Sequence, residues 1–169
     1  LYHPGIARLP IGGRYTMAGR LYSPYLTAWT RRGWEPLRPQ PPGYVTTLFA
    51  GDDGSGLSVY AGLDRNSAWR LTPEGWYCQG NIGGQVYAYA IYDDGAGRAL
   101  YAGGNFGTAD GEQVNCIARW TGTRWTGVGG VVGSVGGAEV HCILPFDDGV
   151  GPALYVGGTF EFAGGVPVV

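Results

Sequence analysis

Short apolar and aromatic runs recur between polar, Gly-rich turns along almost the whole chain, and no run keeps a helical period beyond about one turn before Gly or Pro interrupts it. Strands are predicted where β-branched and aromatic residues cluster between turn formers. They fall into four sets: 45–49, 86–92 and 140–144; 9–13, 57–62, 99–104 and 153–158; 25–29, 67–71 and 115–120; and a last set opening at Trp34, Trp76 and Trp125. The chain is predicted to be all-β.

The sets follow one another in a fixed order, so the chain is a repeat. Asp52-Asp53-Gly54-Ser55-Gly56, Asp93-Asp94-Gly95-Ala96-Gly97 and Asp147-Asp148-Gly149-Val150-Gly151 are one phrase written three times, 41 and then 54 residues apart. Gly supplies positive φ and Asp bonds nearby amides, so each phrase is a hairpin turn between strands one and two. Trp29 with Trp34, Leu71 with Trp76 and Trp120 with Trp125 run in phase with it, each pair five apart. So do Gly12-Gly13, Gly103-Gly104 and Gly157-Gly158, each followed two residues later by an aromatic. The units are 1–42 (partial), 43–80, 81–137 and 138–169 (partial) within a single repeat domain of residues 1–169. The second copy is about eight residues short after strand two, and the third carries a glycine-rich insertion at 127–137.

Four strands in a period of this length are the signature of a β-propeller blade, which must stack on a neighbour to cover its faces. Leu154-Tyr155-Val156-Gly157-Gly158 and the Trp120/Trp125 spacing resemble the kelch repeat. The Asp-Asp-Gly-x-Gly-x-Ala-Leu-Tyr phrase is similar to repeats of large bacterial secreted or surface proteins. The resemblance implies a propeller-like array of four-stranded antiparallel blades. About 3.5 units are too few for a ring of roughly four to eight blades, so an incomplete ring is expected.

Composition narrows the chemistry. All 11 basic residues are Arg, which excludes a Walker A loop, a Schiff-base lysine and a Ser–Lys dyad. A net charge of −2 leaves no footprint for nucleic acid. The longest apolar run, 86–92, is far short of a membrane-spanning helix. The sequence opens on Leu1 with no leader-like stretch, as a processed product, a fragment or a partial sequence would.

Asp52, Asp53, Asp93, Asp94, Asp147 and Asp148 are candidate calcium ligands, but Gly cuts each carboxylate run after two, and the turn role is the better reading. The Trp pairs read as inter-blade packing rather than sugar platforms. Arg31, Arg32, Arg119 and Arg124 read as solvated strand edges rather than an anion site. His3 and His141 are the only histidines, no Gly-x-Ser-x-Gly elbow exists, and Asp110 with Glu112 make thin acid–base machinery. Cys78, Cys116 and Cys142 have no metal spacing and read as small buried apolar residues, with one disulfide possible. No catalytic residue and no cofactor is assigned.

The expected function is a non-catalytic structural or protein-interaction module of an extracellular or envelope assembly. The alternatives are a carbohydrate-binding module and an oxidase or lyase on a kelch-like propeller. The first unit lacks strand one and the last stops after strand two, so a protein partner or further copies of the chain are expected to add at the terminal strands.

Overall fold

The computed structural model describes residues 8–64, 67–132 and 137–168, and every regular element among them is a strand. Unit one holds β1 (Arg8–Gly12), β2 (Met17–Ala18), β3 (Leu21–Tyr22), β4 (Leu26–Thr30) and β5 (Gly33–Pro36). Unit two holds β6 (Val45–Asp52), β7 (Leu57–Leu63) and β8 (Ser67–Thr72), and it shares β9 (Gly75–Asp93) with unit three. Unit three continues with β10 (Arg98–Ala109), β11 (Glu112–Gln113), β12 (Ile117–Trp120), β13 (Trp125–Gly127) and β14 (Val131–Val132). Unit four has β15 (Glu139–Asp147), β16 (Pro152–Thr159), β17 (Phe162–Ala163) and β18 (Val166–Pro167). All pairings are antiparallel, and no closed ring is formed among the described residues.

Every predicted strand is present, and two of them are continuous with each other. β9 runs unbroken through the 80/81 boundary, so units two and three form one eight-stranded sheet. Its first part pairs with β8 and its second with β10. Three glycines sit at this passage: Gly80 has a φ of +91° and faces the Asp110 carboxylate, while Gly83 and Gly84 lie against Thr108 and Asn105 of β10, where a Cβ would be crowded.

Strand one is bulged at the same place in units two, three and four. Pairing skips Thr46 and His141, and it shifts beside Tyr87. A bulge re-aims its extra residue, here toward the following unit. Thr46 Oγ1 donates to the Val86 carbonyl at 2.8 Å, and the Tyr87 ring stacks on His141 at 5.6 Å.

Strand alternation gives each unit two apolar faces. In unit three, Tyr89, Leu100, Ala102, Ala118 and Trp120 share a core with Phe49, Tyr60 and Ala68 of unit two. Its opposite face, with Ala90 and Ile117, packs on Val140, Ile143, Leu154 and Val156 of unit four. Val45, Leu63 and Trp69 form the corresponding layer between units one and two, with Tyr25 against it. The first glycine of strand two makes this stacking possible. A Cβ on Gly12 would stand 2.5 Å from Val45 Cγ1, and one on Gly103 2.5 Å from Val140 Cγ1. At the matching Gly157 a Cβ meets only Cys142 of its own unit.

Units one, three and four carry a short hairpin after strand two: β2 with β3, the end of β10 with β11, and β17 with β18. The shortened second unit shows none among its described residues. These hairpins clip neighbours together. β14 pairs with β17, and at the matching place Ile82 of β9 pairs with Ala109 of β10. Asp110 anchors that clip, its carboxylate accepting the amides of Asn81 and Trp125, each at 2.8 Å. No helix among the described residues is long and apolar enough to cross a membrane.

Candidate functional site

The three Asp phrases fold identically. Asp52 Oδ1 accepts the amides of Gly54 and Gly56, Asp93 Oδ1 those of Gly95 and Gly97, and Asp147 Oδ1 those of Gly149 and Gly151, all between 2.8 and 3.1 Å. Asp53, Asp94 and Asp148 each accept the amide two residues further on. Among the described residues no three His, Cys, Asp or Glu side chains group closely enough to hold a metal ion.

The second Asp also works with a tyrosine seven residues later, a recurrence visible in the sequence as Tyr60, Tyr101 and Tyr155. Tyr101 donates to Asp94 Oδ2 at 2.9 Å and Tyr155 to Asp148 Oδ2 at 2.6 Å. In unit two the Ser55 hydroxyl takes Asp53 instead, and Tyr60 lies buried with an Arg70 guanidinium over its ring. Arg119, cross-strand from Tyr101, sets its Nε 3.2 Å from Asp94 Oδ2. Backbone amides hold Asp52 below the ordinary carboxylate range. The Ala96 amide and then Tyr101 do so for Asp94, and Tyr155 and then the Val150 amide for Asp148. Burial, and then the bond to Asp94, pushes the Tyr101 hydroxyl up to about 12.

The signs give a pH profile. Depressed carboxylates contribute stability above their unfolded pKa of about 4, and it is lost as pH falls through the lower folded values. The raised Tyr101 contributes below about 10, and its share is lost as pH climbs toward 12. A melting temperature flat between about pH 5 and 9 that falls on both sides is expected. In the Tyr101→Phe variant the alkaline decline should shift or shrink. Differential scanning calorimetry across pH checks both limbs.

The cysteines and charged candidates are dispersed. Cys116 is buried, but Cys78 and Cys142 are exposed thiols, contrary to the expectation of three buried ones, and none is in a disulfide. Cys142 is exposed because it lies on the outer face of unit four, which no described residue covers. His141 Nε2 lies 3.4 Å from Glu139 Oε2, and Asn105 donates to the other Glu139 oxygen at 2.7 Å, an arrangement that joins units three and four. His3 lies outside the described residues. Asp110 and Glu112 do not converge: Asp110 is the backbone clip, and Glu112 pairs with Arg124 at 3.6 Å. Arg31 and Arg32 turn between β4 and β5, far along the chain from Arg119. Arg119 instead shares a cleft of about 400 Å³ with Arg70, Arg98 and Asp53. Asp53 in that cleft and Asp94 on Arg119 offset its positive charge.

The surface that stands out is on unit four. Among the described residues β16 has a partner on one side only, whereas β1, β7 and β10 are followed outward by β4, β8 and β12. Its free edge opens into a groove of about 890 Å³ lined by Tyr92, Ile117, Val131, Leu154, Val156 and Phe160. The outer face beside it is apolar. Tyr155 is 42% exposed, against 0% for Tyr60 and 3% for Tyr101 at the same repeat position. Leu144 is 58% exposed where its counterpart Ala90 is 2% exposed. Phe146 packs edge-on to Tyr155 and is also exposed. Sequence reasoning placed Leu144 and Tyr155 in strands and expected an unpaired edge and an uncovered face where the last unit stops after strand two, but it ended the first strand at 144, short of Phe146. Comparison with protein-family models, curated proteins and solved structures finds no match for this chain.

Proposed function

We propose that the chain is a non-catalytic structural and protein-interaction module, an open array of kelch-like propeller blades acting in an extracellular or envelope assembly. The observation that carries this reading is the uncovered apolar face and free strand edge of unit four, at positions that the other units bury against a neighbour. Contiguous apolar surface of this kind marks a site of protein contact, and a free edge accepts an added strand. The capped Asp turns and the dispersed cysteines and arginines offer no converging catalytic set among the described residues.

A photo-crosslinking residue at position 146, introduced into the intact protein in the cells that make it, should yield a polypeptide adduct on irradiation. The same residue at position 96, on an exposed Asp turn, should yield far less. Adducts confined to glycan would favour the carbohydrate-binding alternative, and no adduct at position 146 would overturn the interaction reading.

A further inference from the structure

We infer that the partner seated on the outer face of unit four is unit one of a second copy of this chain, docked head to tail. The inference rests on the interaction reading above and names its partner. Unit one presents the face that units two, three and four each turn toward the unit before them. Leu9, Trp29 and Trp34 occupy the repeat positions of Leu100, Trp120 and Trp125. In unit three those three side chains are buried against Tyr60 and Phe49 of unit two. In unit one they are exposed, Leu9 at 57%, Trp29 at 48% and Trp34 at 39%. Unit four presents the opposite face, with Leu144 and Tyr155 at the positions of Phe49 and Tyr60. The molecule thus carries both halves of an interface that it already builds between units two and three.

Charge points the same way. Residues 1–42 hold six arginines and one glutamate, whereas residues 138–169 hold four carboxylates and no arginine. Two copies meeting through the same face would juxtapose like charges, whereas head-to-tail docking joins opposite ones. Docking of this kind is heterologous, so it produces a ring or a filament rather than a two-fold dimer.

Sedimentation velocity of the full chain over a range of concentrations tests this. Association beyond a dimer is expected at low salt, with the assembly constant at least tenfold weaker near 1 M salt, where screening falls to about 3 Å. Leu144→Glu blocks one face and Trp29→Glu the other, so each variant alone should be a monomer. Mixed, they should form a 1:1 complex through the two intact faces and nothing larger. Circular dichroism verifies that each is folded. If either variant is not, the surface variant R31E/R32E replaces the test and should weaken association at low salt at least tenfold. A full chain that stays monomeric, or that forms only a symmetric dimer surviving Trp29→Glu, overturns the inference. A monomer that nevertheless gives a polypeptide adduct at position 146 in cells leaves the interaction reading standing with a different partner.

Discussion

Replacing Trp125 by Ala is expected to lower the melting temperature by roughly 10 °C, while replacing Trp34, its counterpart in unit one, should change it far less. Trp125 is completely buried among Tyr60, Val86, Leu100 and Phe106, and its indole N–H donates to the Gln79 carbonyl in the other half of the shared sheet. Truncating a buried Trp costs about 3–5 kcal/mol through lost burial and the cavity left behind. At about 2–4 °C per kcal/mol for a chain of this size, the shift follows directly. The loss of a partner for the Gln79 carbonyl adds to it. Trp34 is over a third exposed, so its deletion in the isolated chain opens little cavity. Paired thermal melts of the two variants measure the difference. Equal shifts would mean that the two repeat positions are packed alike, contrary to the structure.

Gly104→Ala should be similarly damaging, and Gly107→Ala close to neutral. A Cβ on Gly104 would stand 1.9 Å from the Gln85 carbonyl oxygen, and the obstruction is backbone, which no rotamer change relieves. The bulge between Gly103 and Gly104 would have to open, parting β9 from β10 within unit three. Overpacking costs about 1–3 kcal/mol when side chains can yield, so a loss at or above the top of that range is expected here. Around Gly107 a Cβ would meet nothing within 4 Å. Chemical denaturation of both variants, with midpoints and slopes compared, decides the matter.

These two residues show where the sequence was readable. The Asp-Asp-Gly-x-Gly phrase fixes a hairpin by itself, because both its glycine φ values and its carboxylate caps are local. The strands on either side of each phrase followed from apolar runs that recur in phase with it. The Trp and Gly-Gly spacings revealed the repeat, though they could not say that Trp125 is sealed while Trp34 faces solvent. Burial belongs to the neighbouring unit, not to the motif. The continuity of β9 was hidden for a related reason. At Gly83 and Gly84 the backbone of β9 is crowded by Thr108 and Asn105 of β10, a contact that no local pattern announces. Asp110 looked like weak acid–base machinery because its partners, Asn81 and Trp125, are 29 and 15 residues away. The Asp–Tyr bonds were legible in principle, since the interval of seven residues recurs three times.

The undivided β9 also bears on how the chain comes apart. Units two and three hold a single 19-residue strand in common, so neither can melt without stripping the other of part of its hydrogen bonding. They therefore behave as one cooperative block rather than as two beads of a chain. The outer units depend on that block through side-chain stacking and short clips, and they can open while it stays shut. Amide protons of β9 and β10 then exchange only when the whole molecule unfolds, and those of β1 and β16 exchange through smaller local openings.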